Sequence, residues 1–99
     1  MSERNETIVV SDEYDEKRRE ILLEVLRSRG AEFIDKESSV AGSQEIESLA
    51  VDINGNLVTV EAETFIGLTI SGPKDIVEDV VAEVNRKMAR LKAPGYVHQ

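Results

Sequence analysis

The stretch EIESLAVDINGNLVTVEAETFIGLTISG, which spans Glu45–Gly72, decides the fold of this chain. It contains two runs of alternating apolar and polar residues that meet at Asn54-Gly55. Asn-Gly between two such runs is the strongest short-range signal for a β-hairpin, because both residues tolerate the positive φ angles of a type I′ turn. The sequence therefore predicts an antiparallel hairpin centred on this dipeptide.

A two-residue turn also fixes which side chains share a face of the hairpin. Val51 lies opposite Val58 and Leu49 opposite Val60, so we expect this side to face the core. Towards the strand ends, Glu47 lies opposite Ala62 on the same side. The opposite side carries Ile46, Ser48, Ala50 and Asp52 against Glu63, Glu61, Thr59 and Leu57.

The segments before the hairpin predict a strand, a helix, a second strand and a loop. Thr7–Val10 is β-branched and apolar, which favours a strand. A helix capped by Ser11 or Asp12 is expected to run to about Ser28, with Gly30 following its end. Its apolar stripe consists of Ile21, Leu22, Val25 and Leu26. Ala31–Lys36 predicts a second strand, and Glu37–Gln44 predicts a flexible loop.

The segments after the hairpin predict the end of the sheet and a second helix. A bulge or bend at Gly67 lets Leu68 and Ile70 continue the apolar face. Pro73 favours the first position of a helix that extends to about Leu91. The expected order is β-α-β-β-β-α, with the fourth strand either continuous or split in two.

This order predicts the fold class α+β, as a two-layer sandwich with a mostly antiparallel sheet and two helices on one face. It is similar to a ferredoxin-like arrangement without the last strand. The 99 residues form one domain, in which residues 1–6 and 93–99 are expected to be flexible tails.

The composition excludes several classes of function. The chain has no cysteine, which excludes disulfides, thiolate metal sites and a cysteine nucleophile. Its net charge of −8 disfavours binding to nucleic acid and to anionic membranes. No apolar run is long enough to span a bilayer, and the N-terminal residues lack the apolar segment of a signal peptide. These features predict a cytoplasmic protein.

The negative charge is concentrated in the predicted sheet. Residues 31–63 contain eight acidic residues and one basic residue, Lys36, which gives −7 of the total of −8. The predicted protein-binding residues are Asp52, Glu61, Glu63, Glu45, Glu47 and Glu37. Clustered carboxylates of this kind favour a basic protein partner, although solubility alone also explains an acidic surface.

Other chemistry has weaker support in the residues. Glu61 and Glu63 have a spacing that acid–base catalysis can use, but nothing nearby in the sequence indicates a pocket, and a solvated sheet face explains them. Asp52–Asn56 resembles the start of a calcium loop but lacks the later ligands, and the turn explains it fully. His98 lies in the C-terminal tail, where no nucleophile can be fixed beside it. The sequence predicts no catalytic residue, no cofactor and no metal site.

The segment EAETFIGLTISGPKDIVEDV, Glu61–Val80, resembles small acidic bacterial immunity proteins that neutralise a cognate toxin. Such proteins are often short, cysteine-free α+β domains, and their strand-then-helix endings are similar to this segment. The resemblance covers about a fifth of the chain and contains no diagnostic motif. It implies toxin neutralisation through protein binding and transfers no individual residue role.

Three functional hypotheses follow. The first is a non-enzymatic protein-binding domain with an acidic sheet face, of which an immunity protein that binds a basic toxin is the concrete form. The second is a homodimer formed through an exposed strand edge or through Ile46, Ala50 and Leu57. The third is an enzyme or small-ligand binder with a pocket between the sheet edge and Glu37–Gln44.

Overall fold

The computed structural model describes residues 4–12, 15–42, 44–63 and 66–92. These residues form five strands and two helices in the order β-α-β-β-β-β-α. The elements are β1 (Asn5–Ser11), α1 (Glu16–Ser28), β2 (Glu32–Ala41), β3 (Gln44–Ile53), β4 (Asn56–Glu63), β5 (Gly67–Pro73) and α2 (Lys74–Lys92). The predicted α+β class is confirmed.

The β3–β4 hairpin has the predicted register along its whole length. Val51 pairs with Val58, Leu49 with Val60 and Glu47 with Ala62, and Ile53 pairs with Asn56 beside the turn. Asn54 and Gly55 have φ angles of 54° and 86°, as a type I′ turn requires. Local turn chemistry and hydrophobic alternation therefore specify the same pairing.

After this hairpin the chain returns along β4 as a separate strand, β5, which starts at Gly67. β5 pairs antiparallel with β4, and Ala62 lies opposite Leu68. The structure thus contains two separate strands where the sequence left one continuous strand or two as alternatives. The strand order is β1-β5-β4-β3-β2, with every neighbouring pair antiparallel. β1 and β2 consequently lie at opposite edges of one sheet.

The prediction of a flexible loop at Glu37–Gln44 is wrong. Glu37 to Ala41 belong to β2, and β3 starts at Gln44, so this segment lies at one end of a second long hairpin. Ala41 pairs with Gln44, and Gly42 between them has a φ of 65°. A Gly-Ser dipeptide between two strands is itself a hairpin signal. The polar composition of the segment favoured a loop over this hairpin. An edge strand needs no buried side chains, so it shows no hydrophobic alternation.

Several element ends also differ from the expectations. Asn5 and Glu6, which the sequence placed in a tail, are the first residues of β1. Asp15 is the N-cap of α1 and accepts a hydrogen bond from the Arg18 amide at 3.1 Å, so α1 starts later than a cap at Ser11 or Asp12 implies. Pro73 ends β5, and α2 starts at Lys74. The expected tail at 93–99, including His98, lies outside the described residues.

Both helices pack on one face of the sheet. α1 and α2 run antiparallel. Arg29, near the end of α1, forms ion pairs with Asp79 and Glu83 in the first half of α2. Arg18, near the start of α1, donates to Asn85 further along α2 at 3.1 Å. The buried core between the helices and the sheet consists of Val10, Ile21, Leu22, Val25, Leu26, Val51, Ile53, Val58, Val60, Ala62, Leu68, Ile70, Val77, Val80, Val84 and Met88. Because all these sheet residues lie on one side, the other side is uncovered in the described part of the chain.

Candidate protein-binding face

We call the side of the sheet opposite the helices the open face. Strand pairing defines which side chains it contains. They are Thr7 and Val9 of β1, Glu32, Asp35, Glu37 and Ser39 of β2, Ile46, Ser48, Ala50 and Asp52 of β3, Leu57, Thr59, Glu61 and Glu63 of β4, and Thr69 and Ser71 of β5. The six ionisable side chains in this set are all acidic.

The acids of the open face lie in rows that cross the strands. Glu37 pairs with Ser48, which pairs with Glu61, which pairs with Thr69. A second row brings Glu32 beside Asp52. Neighbouring strands are about 4.8 Å apart, so carboxylates of adjacent strands lie well within one Debye length of each other at physiological salt. The open face therefore carries a cluster of negative charges on β2, β3 and β4, in which Glu32 and Asp52 are directly opposite each other.

Neutral groups provide the local contacts of these acids. The Ser48 hydroxyl donates to Glu61 Oε2 at 3.4 Å, and the Gln44 amide donates to Glu63 Oε2 at 3.1 Å. The amide of Gly55 donates to Asp52 Oδ1 at 2.7 Å, which gives Asp52 a structural role in the turn. None of these contacts neutralises a charge, so the carboxylates keep their capacity to pair with bases of a partner.

The structure separates the six predicted binding residues into two groups. Asp52, Glu61, Glu63 and Glu37 lie on the open face. Glu47 lies on the helix side, where Arg19 donates to its Oε1 at 2.7 Å. Glu45 also lies on the helix side, where it pairs with Val40, while Glu47 pairs with Ser38.

The open face includes two acidic residues, Glu32 and Asp35, that were not among the predicted binding residues. Glu32 and Asp35 are an odd number of positions apart, so simple alternation assigns them to opposite faces. A register shift between Phe33 and Asp35 inserts Ile34 as an extra residue and returns Asp35 to the face of Glu32. Nothing in the local sequence marks this bulge.

Exposed apolar side chains lie among and beside the acids. Leu57 is 60% exposed and Val9 is 55% exposed, while Ile46 is half-buried. A shallow depression of about 400 Å³ lies at one end of the sheet, between β1 and β4, and includes Thr7, Leu57 and Thr59 in its lining. These apolar side chains lie at the margins of the open face, with Leu57 beside the β3–β4 turn, Ile46 at the other end and Val9 on the edge strand β1.

A separate groove of about 180 Å³ lies on the helix side, between α1 and the β2–β3 hairpin. Its lining is mostly apolar and includes Leu23, Phe33, Leu49 and Val60, and the Arg19–Glu47 ion pair contributes to it. This concavity lies near the sheet edge at Phe33 and Lys36 rather than at the segment Glu37–Gln44.

The described residues contain no group of three or more histidine, cysteine, aspartate or glutamate side chains that could hold a metal ion. Neither described helix combines the length and apolar character needed to cross a membrane.

Two perturbed groups lie away from the open face. A hydrogen bond with Glu78 raises the pKa of Glu6, with smaller contributions from burial and from the charge of Glu78, against an opposing effect of Lys74. Burial of Arg29 acts to lower its pKa, but hydrogen bonds to Asp79 and Glu83 outweigh it and raise the pKa. Both groups join secondary-structure elements on the helix side, which indicates structural roles.

Comparisons with protein-family models, with curated proteins and with solved structures find no match to this chain.

Proposed function

We propose that this chain is a non-enzymatic protein-binding domain that contacts a basic protein partner with its open face. The observation that carries the proposal is the open face, which neither helix covers. Among the residues that the structure describes, this face has six carboxylates and no base, beside Val9, Ile46 and Leu57. Opposite charges on a partner would accelerate encounter and set orientation, and the apolar side chains would contribute buried area.

A toxin-neutralising immunity protein is the concrete form of this proposal. The resemblance at Glu61–Val80 supports it, as does the acidic face, since a basic toxin would provide the complementary charge. Neutralisation would then consist of occupying the toxin's basic surface, with Glu61, Glu63 and Glu37 as the principal contacts.

The test is capture of the partner by the immobilised chain, with a charge-reversed pair and a matched control. Glu61→Lys with Glu63→Lys removes the acids of β4, whereas Glu20→Lys with Glu24→Lys makes the same change in net charge on the exposed surface of α1. We expect a partner that is captured at low salt, released at high salt and lost only with the β4 variant. Equal capture by both variants contradicts the proposal.

Self-association is the second candidate function. The observation that favours it is β2, a ten-residue edge strand whose side chains from Glu32 to Val40 are exposed. Stacking two open faces would oppose like charges across the interface, which makes the face itself a poor dimer contact. Light scattering at high concentration distinguishes the candidates, because a strict monomer excludes the dimer.

A further inference from the structure

β2 presents an unpaired strand edge. It lies at the end of the strand order, and among the described residues it pairs with β3 alone. It is ten residues long, whereas β1 at the opposite edge has seven. An edge strand exposes backbone N–H and C=O groups to which a strand from another protein can add.

The two sides of β2 differ in chemistry. Glu32, Asp35 and Glu37 project onto the open face. Val40, which is 69% exposed, and Phe33, which is 42% exposed, project to the helix side. Phe33 also forms part of the lining of the 180 Å³ groove, together with Leu23 and Leu49. A strand added to β2 would direct alternate side chains towards these two surfaces.

We infer that the outer edge of β2 accepts an extended segment of a protein partner in which basic residues alternate with apolar residues. The basic side chains lie beside Asp35 and Glu37 on the open face, and the apolar side chains pack against Val40 on the helix side. The inference rests on the proposed function, because the same acidic face binds the partner, and it adds backbone pairing at β2. The bulge at Ile34 confines regular pairing to Asp35–Ala41.

Charge complementarity selects this occupant over a second copy of the chain. Two paired copies of β2 would bring Asp35 and Glu37 of both chains onto one face without a base, since Lys36 lies on the helix side. Like charges that meet across strands destabilise the pairing. β1 offers no equivalent site, because its open-face residues Thr7 and Val9 are uncharged.

The probe is a synthetic heptapeptide with blocked termini, in which lysine and valine alternate. Two further versions carry backbone N-methyl groups on either the lysine amides or the valine amides. Because a strand directs alternate amides to opposite edges, only one of the two sets can pair with β2. We expect one methylated version to bind about as well as the parent peptide and the other to bind about tenfold more weakly or worse.

Matched variants of the full chain locate the binding site. Val40→Ser and Glu37→Lys change β2, and Leu91→Ser and Glu24→Lys make comparable changes at exposed positions on α2 and α1. We expect Glu37→Lys to weaken binding of the parent peptide by about tenfold and Val40→Ser by several-fold, with little effect of the control variants.

The outcomes separate this inference from the proposed function. Equal binding of the two methylated peptides, or equal effects of the β2 variants and their controls, overturns strand addition, even where partner capture still depends on Glu61 and Glu63. Failure of the parent peptide to bind saturably also overturns it. Dimerisation of the chain that Glu37→Lys strengthens would assign the edge to a second copy instead.

Discussion

Ser48 lies directly opposite Glu61 on the open face, and its hydroxyl donates a hydrogen bond to Glu61 Oε2 at 3.4 Å. On its other side, Ser48 lies opposite Glu37. A neutral hydroxyl thus separates two carboxylates that are about 10 Å apart across three strands. Their mutual repulsion opposes folding, and most strongly at low salt, where the Debye length exceeds their separation.

Salt should therefore stabilise the free chain. We expect the free energy of unfolding to rise between low salt and about 1 M sodium chloride, where the Debye length falls to roughly 3 Å. The measurement is urea unfolding at each salt concentration. Glu61→Gln with Glu63→Gln is the control, because it should reduce the increase. A fall in stability with salt would mean that ion pairs such as Arg19–Glu47 dominate instead.

Asp52 should stabilise the β3–β4 turn as a hydrogen-bond acceptor rather than through its charge. Its Oδ1 accepts a hydrogen bond from the Gly55 amide at 2.7 Å. Asp52→Ala removes this contact and should lower the free energy of unfolding by about 1 kcal/mol. Asp52→Asn keeps an acceptor and should cost clearly less. Equal losses for the two variants in chemical denaturation would show that the charge stabilises the turn.

Loss of a leucine side chain should destabilise the chain much more in the core than on the open face. Leu22 is fully buried between α1 and the sheet, and Leu22→Ala should cost about 2–5 kcal/mol. Leu57 is 60% exposed, so Leu57→Ala should cost less than about 1 kcal/mol. Chemical denaturation of both variants provides the comparison. A large loss at Leu57 would show that this residue is part of the core rather than of a binding surface.

The contact between Glu6 and Glu78 predicts a pH dependence of stability. The raised pKa of Glu6 means that the folded state binds its proton more tightly than the unfolded state. Its stabilising contribution is therefore complete below the unfolded pKa and is lost as the pH rises through the folded pKa. Glu6→Gln should stabilise the chain relative to wild type increasingly as the pH rises from 4 to 7. A constant difference in free energy of unfolding across this range would contradict the coupling.

The sequence predicts the β3–β4 hairpin because two independent signals agree there. Asn54-Gly55 specifies the turn, and the alternation of Val51 and Ile53 with polar residues specifies the face. The apolar stripe of α1 likewise predicts its buried residues, Ile21, Leu22, Val25 and Leu26. These features depend on neighbours in the chain, and local physical chemistry is sufficient for them.

Features that depend on distant residues could not be predicted in this way. The pairing of β1 with β5 joins Thr7 to Ser71, and no local signal encodes that contact. β2 is an exposed edge strand, so its polar residues give no hydrophobic alternation to identify it. The bulge at Ile34 brings Glu32 and Asp35 to one face, and it depends on pairing with β3. The acidic face was consequently predicted at Asp52, Glu61, Glu63 and Glu37 and missed at Glu32 and Asp35.

The most direct test of the open face as a binding surface is methyl NMR of the chain titrated with its captured basic partner. Ile46, Leu57 and Thr59 report on the open face, whereas Ala82 and Ala89 report on the exposed surface of α2. We expect the partner to shift or broaden the methyl signals of the first group and to leave the two alanine signals unchanged. Perturbation of Ala82 and Ala89 with unchanged Ile46, Leu57 and Thr59 signals would contradict the account.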